Sequence, residues 1–273
     1  MKFAIVNGIK VEATKGARGK CPCCKSDVIA KCGDKRVHHW SHLGERNCDD
    51  WWEPETLWHR AWKNNFLPEW QETILYDEKT NEKHIADVLT SYGLVIEFQH
   101  SAIDKEECIS REAFYKNMVW VVDGTRLKGD FKRFQKAKKD FVSTSKPKIY
   151  GIEHVDECFP QSWLHNNVPV IFDFLGTGSP DDPNDIKKQL YCLFPWSLKG
   201  YRIFAEMSRP AFIHAALNGE WMPKVRGFTD EMGRTNQRFQ DELTKKQLTL
   251  ERMIPKQAAP RPKRNNRRGN WRM

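Results

Sequence analysis

The sequence predicts a mixed α/β protein, of the α+β kind, whose central part follows the order α, β, β, β, α, β. Two observations support this prediction. Apolar residues recur at helical spacing in PETLWHRAWKNNF, and a second helix is expected in DKEECISREAFYKNM. The segments between and after them, EWQETILYD, HIADVLTSYGLVIEFQ and VWVVDG, show the alternating or short apolar patterns that are typical of strands.

The composition argues against a membrane protein. The chain has 273 residues, of which 30% are charged, and its mean hydropathy is -0.72. No apolar run approaches the roughly 20 residues that cross a bilayer. The first residues, MKFAIVNGIKVEAT, alternate like a strand and lack the apolar stretch of a signal peptide. We therefore expect an unprocessed cytoplasmic protein with no membrane association.

Composition and periodicity divide the chain into four regions. Residues 1–50 contain five of the eight cysteines and are expected to form a β-ribbon, and residues 51–145 contain the core described above. Residues 146–254 form an α+β region of unknown role that offers a surface for a protein partner. Residues 255–273 carry seven Lys or Arg and no acid, within a net charge of +9, and are expected to be a disordered, phosphate-seeking tail. A solubilising tail or a partner-docking peptide is the alternative.

The segment HIADVLTSYGLVIEFQ predicts a hairpin with a defined register. A three-residue loop at Ser91-Tyr92-Gly93, in which Gly93 supplies the left-handed conformation, places Asp87 opposite Glu97. Because strand side chains alternate with a period of two, Asp87, Glu97 and Gln99 then share one face of the sheet.

Two opposed carboxylates within apolar strands repel each other and lose solvation. A divalent cation neutralises them, and carboxylate oxygens are preferred ligands of Mg²⁺ and Mn²⁺. Asp87 and Glu97 are therefore candidate metal ligands in a site that activates water to hydrolyse a phosphodiester. The alternative is an exposed hairpin whose Asp and Glu face water.

The cysteine-rich segment predicts a second, structural metal site. Cys21 and Cys24 form a C-x-x-C pair, and His39 and His42 follow at a distance that can close a tetrahedral zinc site. Other residues compete for these positions: Cys23, Cys32, His38 and Cys48. Reduced cysteines without a metal are the alternative. Basic residues around this segment make DNA binding a second use of the ribbon: Lys15, Arg18, Lys20, Lys25, Lys31, Lys35 and Arg36.

Several motifs together resemble one known family. CPCC, HHWSH, ETLWH-RAWK, HIADV, EFQHS, REAFY and VWVVDG occur in the order seen in the competence protein CoiA-like family, over roughly residues 18–123. More broadly, Asp87 followed by Glu97-Phe98-Gln99 resembles the restriction-endonuclease-like core of PD-(D/E)xK nucleases, with Gln in place of the usual Lys. The resemblance implies a DNA nuclease and supports the zinc site.

The resemblance also implies roles for individual residues. Asp87 and Glu97 would bind the metal, with the Phe98 carbonyl as a further ligand, and Gln99 would orient the attacking water or a phosphate oxygen. A neutral Gln cannot supply the charge of a Lys, so Lys63, Arg111 or a second metal would supply it.

Helical residues of the motifs give further candidates. Glu55 and His59 match the Glu and His of the family's first helix, where Glu55 would be a third carboxylate. An exposed pair on an amphipathic helix is their alternative. Arg111 and Tyr115 lie one turn apart on the next helix, where they could reach the phosphate. A helix surface on which they pair with Glu107 or Glu112 is the alternative there.

Three functions follow from the sequence. The first is a Mg²⁺- or Mn²⁺-dependent deoxyribonuclease that acts in DNA processing or antiphage defence. The second is a zinc-containing DNA-binding protein with a degenerate nuclease fold, which the Gln99 replacement favours. The third is a subunit of a larger complex that uses residues 146–254 as a partner surface.

Overall fold

The computed structural model describes residues 1–44, 48–49, 51, 53–78, 82–175 and 186–253. The basic tail predicted at 255–273 lies outside these residues. Within the described part of the chain, no helix combines the length and apolarity that a bilayer-spanning helix needs.

The N-terminal region is an antiparallel sheet of five strands among the described residues, in the order β2-β1-β3-β4-β5. The sequence predicts a single strand over MKFAIVNGIKVEAT, but the structure has a hairpin there. Asn7 and Gly8 take φ values of 51° and 81°, which are typical of a two-residue hairpin turn. The strands are β1 (Phe3–Val6), β2 (Ile9–Glu12), β3 (Arg18–Lys20), β4 (Asp27–Lys31) and β5 (His39–His42).

The central elements occur in the predicted order α, β, β, β, α, β. Strands β7 and β8 form the predicted hairpin, and β8 pairs in parallel with β9 after the crossover helix α2. Their bounds are α1 (Leu57–Lys63), β6 (Gln71–Asp77), β7 (Glu82–Leu89), β8 (Val95–Gln99), α2 (Lys105–Tyr115) and β9 (Met118–Asp123).

After β9 the chain adds three helices and five strands among the described residues, of which α3 and β10 precede residue 146. These are α3 (Asp130–Ala137), β10 (Val142–Ser143), β11 (Ile149–Ile152), β12 (Val170–Asp173), β13 (Gln189–Leu198), β14 (Tyr201–Ser208), α4 (Arg209–Leu217) and α5 (Trp221–Met253). Short 3-10 segments lie at Pro68–Trp70, Lys138–Asp140, Val155–Glu157, Gln161–Trp163 and Ile186–Lys188.

The central and C-terminal regions share one sheet. In the described part of the chain it has nine strands, in the order β10-β11-β14-β13-β12-β9-β8-β7-β6, and β12 pairs in parallel with β9. The boundary that the sequence places near residue 145 therefore lies within a continuous sheet. Helices α2 and α3 pack on one face of this sheet, around Phe134 and Trp120, and α1 and α4 pack on the other, around Trp62 and Phe98.

Helix α1 is attached to the sheet through a buried carboxylate on β12. The indole nitrogens of Trp58 and Trp62 each donate to Asp173 Oδ2 at 2.9 Å, and Arg209 donates to the same oxygen at 2.6 Å. The Asp173 side chain is 0% exposed. Because a buried carboxylate needs such partners, Asp173 fixes where α1 lies against the sheet.

Candidate active site

The β7–β8 hairpin has the register that the sequence predicts. Val88 pairs with Ile96 and Leu89 with Val95, and Gly93 takes a φ of 75° in the loop. Beyond these pairs, side chains replace the backbone ladder. The Asp87 amide donates to Glu97 Oε1 at 3.1 Å, and the Phe98 amide donates to Asp87 Oδ2 at 3.0 Å. The two carboxylates therefore lie side by side, each bonded to the opposite strand.

A third carboxylate reaches Asp87 from the neighbouring strand β6. Gln71 pairs with Val88 and Thr73 with Ala86, so Glu72 lies across from Asp87. Glu72 has a positive φ of 47° and accepts hydrogen bonds from the backbone amides of Lys2 at 2.6 Å and Phe3 at 3.0 Å. The N-terminal sheet thus closes one side of the pocket.

Lys63, at the end of α1, lies among these carboxylates. Its Nζ is 2.9 Å from Asp87 Oδ1, 3.4 Å from Glu72 Oε1 and 3.6 Å from Glu55 Oε2. Burial alone would lower the pKa of Lys63, but the surrounding carboxylates raise that pKa well above its ordinary value. Lys63 is therefore a buried cation beside Asp87 at neutral pH.

Arg111 plays the same part for Glu97. Its Nη1 donates to Glu97 Oε2 at 3.0 Å, and its Nη2 donates to the Trp51 carbonyl and to Glu107. Arg111 thus makes the pairing with Glu107 that was the alternative to a functional role. It also lies in the pocket. Burial, and then the nearby Asp87 charge, raise the pKa of Glu97 to about 8 in spite of Arg111. This is the behaviour of two carboxylates that compete for one site.

Two further predicted residues line the pocket: His59, which lies on α1, and Glu55, which precedes the helix and is not on it as the sequence predicts. His59 Nε2 lies 2.8 Å from the Phe98 carbonyl oxygen and 3.4 Å from Glu53 Oε2. Burial lowers the pKa of His59, but the Glu53 hydrogen bond and the charges of Asp87 and Glu53 together raise that pKa overall. Glu55 bonds to Arg60 at 3.0 Å as well as to Lys63. The side chains of Glu55 and His59 are buried, so they do not form the exposed pair that was the alternative.

Two predicted residues lie elsewhere. Gln99 does not line the pocket: its Nε2 donates to the Ser101 carbonyl at 3.4 Å, and its Oε1 is buried without a hydrogen-bond partner among the described residues. Tyr115 packs edge-on against Trp51 and Phe114 in the core, so its proposed contact with phosphate has no support. Strand alternation predicts the face of Gln99 but not its distance from the pocket.

Three carboxylates of the pocket are not predicted from the sequence, namely Asp49, Glu53 and Glu72. Asp49 accepts from the Ile85 amide at 2.9 Å, and Glu53 accepts from the His100 amide at 3.1 Å. Both lie in the irregular segment before α1, which has no periodicity to interpret. Glu72 has a usable signal, because pairing β6 with β7 places it opposite Asp87.

The pocket offers oxygen donors that could hold a divalent cation. Six carboxylates and three basic side chains line it. Two of the carboxylates, Asp87 and Glu97, lie next to each other. Hard oxygen donors of this kind suit Mg²⁺ or Mn²⁺. Within the described residues the carboxylates are Asp49, Glu53, Glu55, Glu72, Asp87 and Glu97, and the basic side chains are His59, Lys63 and Arg111.

A second candidate metal centre lies in the N-terminal sheet. Ligand atoms of Cys21, Cys24, His42 and Cys48 all lie within 4.8 Å of one another. Cys24 Sγ is 3.3 Å and Cys48 Sγ 3.6 Å from His42 Nε2, and the sulfurs of Cys21 and Cys48 are 4.0 Å apart. Tetrahedral zinc with Zn–S bonds of about 2.3 Å separates its ligand atoms by about 3.5–3.8 Å. A Cys₃His set of this kind could hold a metal such as zinc.

This set differs from the sequence prediction at one ligand. His39 and His42 both lie on β5, three residues apart, so their side chains point to opposite faces of the strand. His39 Nδ1 lies 2.9 Å from the Val37 carbonyl. Cys48 takes the place of His39 beside Cys21, Cys24 and His42. Hydrogen bonding to Cys48, opposed by burial, lowers the pKa of Cys21 to about 4, which favours the thiolate that a metal needs.

Comparison with known proteins identifies two regions. The family model described as competence protein CoiA, N-terminal domain, matches residues 9–50, which contain the Cys₃His set. The model described as competence protein CoiA, nuclease-like domain, matches residues 74–157, which contain Asp87, Glu97 and Arg111. Neither a curated protein nor a solved structure matches the chain.

Proposed function

Since this chain belongs to the CoiA-like family and has its nuclease-like domain, we propose that it is a metal-dependent deoxyribonuclease that hydrolyses DNA phosphodiester bonds. One observation carries the proposal. The adjacent carboxylates of Asp87 and Glu97 share a pocket with two buried cations, Lys63 and Arg111. Such a pocket combines metal ligands with groups that stabilise charge on a phosphoryl oxygen.

Asp87 and Glu97 would hold Mg²⁺ or Mn²⁺, with the Phe98 carbonyl as a further ligand. When bound, the metal would activate a water and stabilise the developing oxyanion. His59 Nε2, 2.8 Å from the Phe98 carbonyl, orients that oxygen. Glu53 in turn holds the His59 ring, at 3.4 Å.

Lys63 takes over the role that the resemblance assigned to Gln99. The nuclease pattern places a lysine on the strand after the second carboxylate, where this chain has a neutral amide. Lys63 instead brings its ammonium to Asp87 from α1, at 2.9 Å. A charge delivered from the helix supports catalysis in spite of the Gln99 replacement.

The Cys₃His set would hold a structural Zn²⁺ that stabilises the N-terminal sheet. This matters to the pocket because Lys2 and Phe3 of that sheet donate to Glu72. As its setting we propose cytoplasmic DNA processing during uptake or recombination, with antiphage defence as the alternative.

A second candidate function is a zinc-containing DNA-binding protein whose nuclease fold is degenerate. The carboxylate oxygens of Asp87 and Glu97 all have protein partners, and Gln99 is turned toward Ser101. Such a protein would bind DNA without cutting it. Residues 146–254 stay the candidate surface for a protein partner in this case.

A screen of divalent metals separates these functions. Zinc-loaded protein, dialysed free of other metals, is incubated with labelled linear, circular and single-stranded DNA, with and without added Mg²⁺ or Mn²⁺. The nuclease predicts cleavage that needs added metal and is lost in Glu97→Ala. Binding without cleavage under every condition would favour the degenerate fold.

A further inference from the structure

A large cleft lies between the N-terminal sheet and the central sheet. It has a volume of about 970 Å³. One wall is the loop between β4 and β5, and the other consists of the start of α1 and the ends of β8 and β9. The cleft shares Met1, Glu53 and Glu55 with the Asp87 pocket, so the two lie side by side.

The two walls are fastened together at one end. Arg60, on α1, donates to the His38 carbonyl of the loop at 2.9 Å and to Glu12 of β2 at 3.1 Å. The same guanidinium bonds to Glu55 at the entrance to the pocket, at 3.0 Å. The cleft is therefore held in a fixed position relative to the candidate active site.

The chemistry of the cleft matches one kind of ligand. Lys35 and Arg36 are exposed on the loop wall, where they can contact phosphates. Leu57, on the opposite wall, is a large apolar side chain that is 68% exposed. Asp34 adjoins these two cations on the loop wall, and the acids of the opposite wall, Glu53, Glu55 and Asp123, are paired with His59, Arg60 and His100. Two exposed cations that face an exposed apolar side chain suit a strand that carries phosphates on one side and unpaired bases on the other.

The depth of the pocket determines the form of the DNA. Side chains of Glu55, Lys63 and Glu97 are each 4–5% exposed, and Asp87 is 20% exposed. A duplex keeps its phosphates on a wide, stiff surface, whereas a single strand can bend to bring one phosphate into a recess.

We infer that this cleft binds single-stranded DNA and leads it to Asp87 and Glu97, with phosphates on Lys35 and Arg36 and a base against Leu57. The inference rests on the proposed nuclease function, and it deepens that function by naming the form of the substrate and its path. It also restricts the basic surface of the N-terminal sheet, because the cleft includes Lys35 and Arg36 but not Lys15 or Arg18.

The experiment measures binding apart from cleavage. The full, zinc-loaded chain carrying Asp87→Asn is titrated against a fluorescently labelled oligonucleotide, as a single strand and as a duplex, and anisotropy is recorded. We expect tighter binding of the single strand. Adding Lys35→Glu and Arg36→Glu should weaken that binding about tenfold or more and reduce its salt dependence. The matched control, Lys15→Glu with Arg18→Glu, changes the charge equally outside the cleft and should have a small effect.

A third variant tests the apolar contact. Leu57→Ser should weaken single-strand binding several-fold without changing its salt dependence, because it removes a contact with a base and not with a phosphate. Tighter binding of the duplex, or equal losses in the two double variants, would overturn the inference.

The outcomes also distinguish this inference from the proposed function. If the wild type cuts DNA and the cleft variants bind and cut as it does, the inference alone is wrong. If the wild type never cuts but the cleft variants lose single-strand binding, the path stands and the nuclease function is wrong.

Discussion

Lys63 Nζ lies 2.9 Å from Asp87 Oδ1, although the two residues come from a helix and a strand that are separated by β6 in the sequence. The contact brings a cation to the first carboxylate of the pocket, while Arg111 brings another to Glu97 at 3.0 Å. In the PD-(D/E)xK pattern a lysine at the position of Gln99 supplies the positive charge. Here Gln99 is neutral, and Lys63 and Arg111 bring positive charge to the pocket.

The first prediction concerns these two residues. Lys63→Met should lower the single-turnover cleavage rate by about 10²–10³-fold, because it removes a preorganised charge, whereas Gln99→Ala should have a much smaller effect. Lys63→Met also leaves Glu72 and Asp87 without their cation, at about 3–5 kcal/mol of unfolding free energy. Circular dichroism at the assay temperature checks that the variant is folded, and Lys63→Arg should restore part of the rate. The opposite ranking of Lys63→Met and Gln99→Ala would be incompatible with this assignment.

The second prediction is a pH dependence of stability that arises from Glu97. Its pKa is raised to about 8 in the folded protein from an ordinary value of 4.5, so between these values the folded state holds a proton that the unfolded state has released. Glu97 therefore makes the unfolding free energy fall as pH rises through this window, by at most about 1.4 kcal/mol per pH unit. Urea denaturation in Mg²⁺-free buffer, from pH 5.5 to 8.5, should show a shallower fall in Glu97→Gln. Parallel pH profiles for the two proteins would contradict the shift.

The third prediction distinguishes the zinc ligands. Purified wild type should contain about one zinc per chain, as a closed tetrahedral site requires. His42→Ala and Cys48→Ser should lose most of this zinc and unfold at lower temperature, because metal binding contributes to folding. His39→Ala is the matched control and should keep it. Zinc is measured by elemental analysis, and loss of zinc in His39→Ala with retention in Cys48→Ser would restore the ligand set that the sequence suggested.

The fourth prediction concerns the support of α1. Asp173→Ala removes the acceptor of Trp58, Trp62 and Arg209, and should lower the unfolding free energy by about 3–5 kcal/mol. The exposed Asp156→Ala is its control, with a change of about 0.5 kcal/mol or less. Equal stability of the two variants by urea denaturation would show that the C-terminal strands do not hold α1 in place.

Local patterns explain which parts of the site could be predicted from the sequence. The β7–β8 register depends on a three-residue loop with Gly93 and on alternation over a few residues, and both are local. The Cys21 and Cys24 pair is local as well. Recognition that His39 and His42 lie on one strand would have excluded one of them, because their spacing of three places them on opposite faces.

The remaining features depend on contacts that are distant in sequence. Glu72 meets Asp87 only because β6 pairs with β7, and Lys63 reaches Asp87 only because α1 packs on that face of the sheet. The continuation of the sheet after residue 146 depends on the parallel pairing of β9 with β12, which has no local signature. Periodicity identifies strands but does not say which strands pair.

Asp87 and Glu97 are proposed to form the metal-binding centre of a nuclease. The most direct test is the single-turnover cleavage rate of a labelled single strand in Mg²⁺ or Mn²⁺, measured for wild type, Asp87→Asn and the exposed control Glu106→Gln. We predict that Asp87→Asn loses about 10²-fold or more of the rate while it keeps its fold and its DNA binding, and that Glu106→Gln matches the wild type. Cleavage by Asp87→Asn at the wild-type rate would contradict the claim.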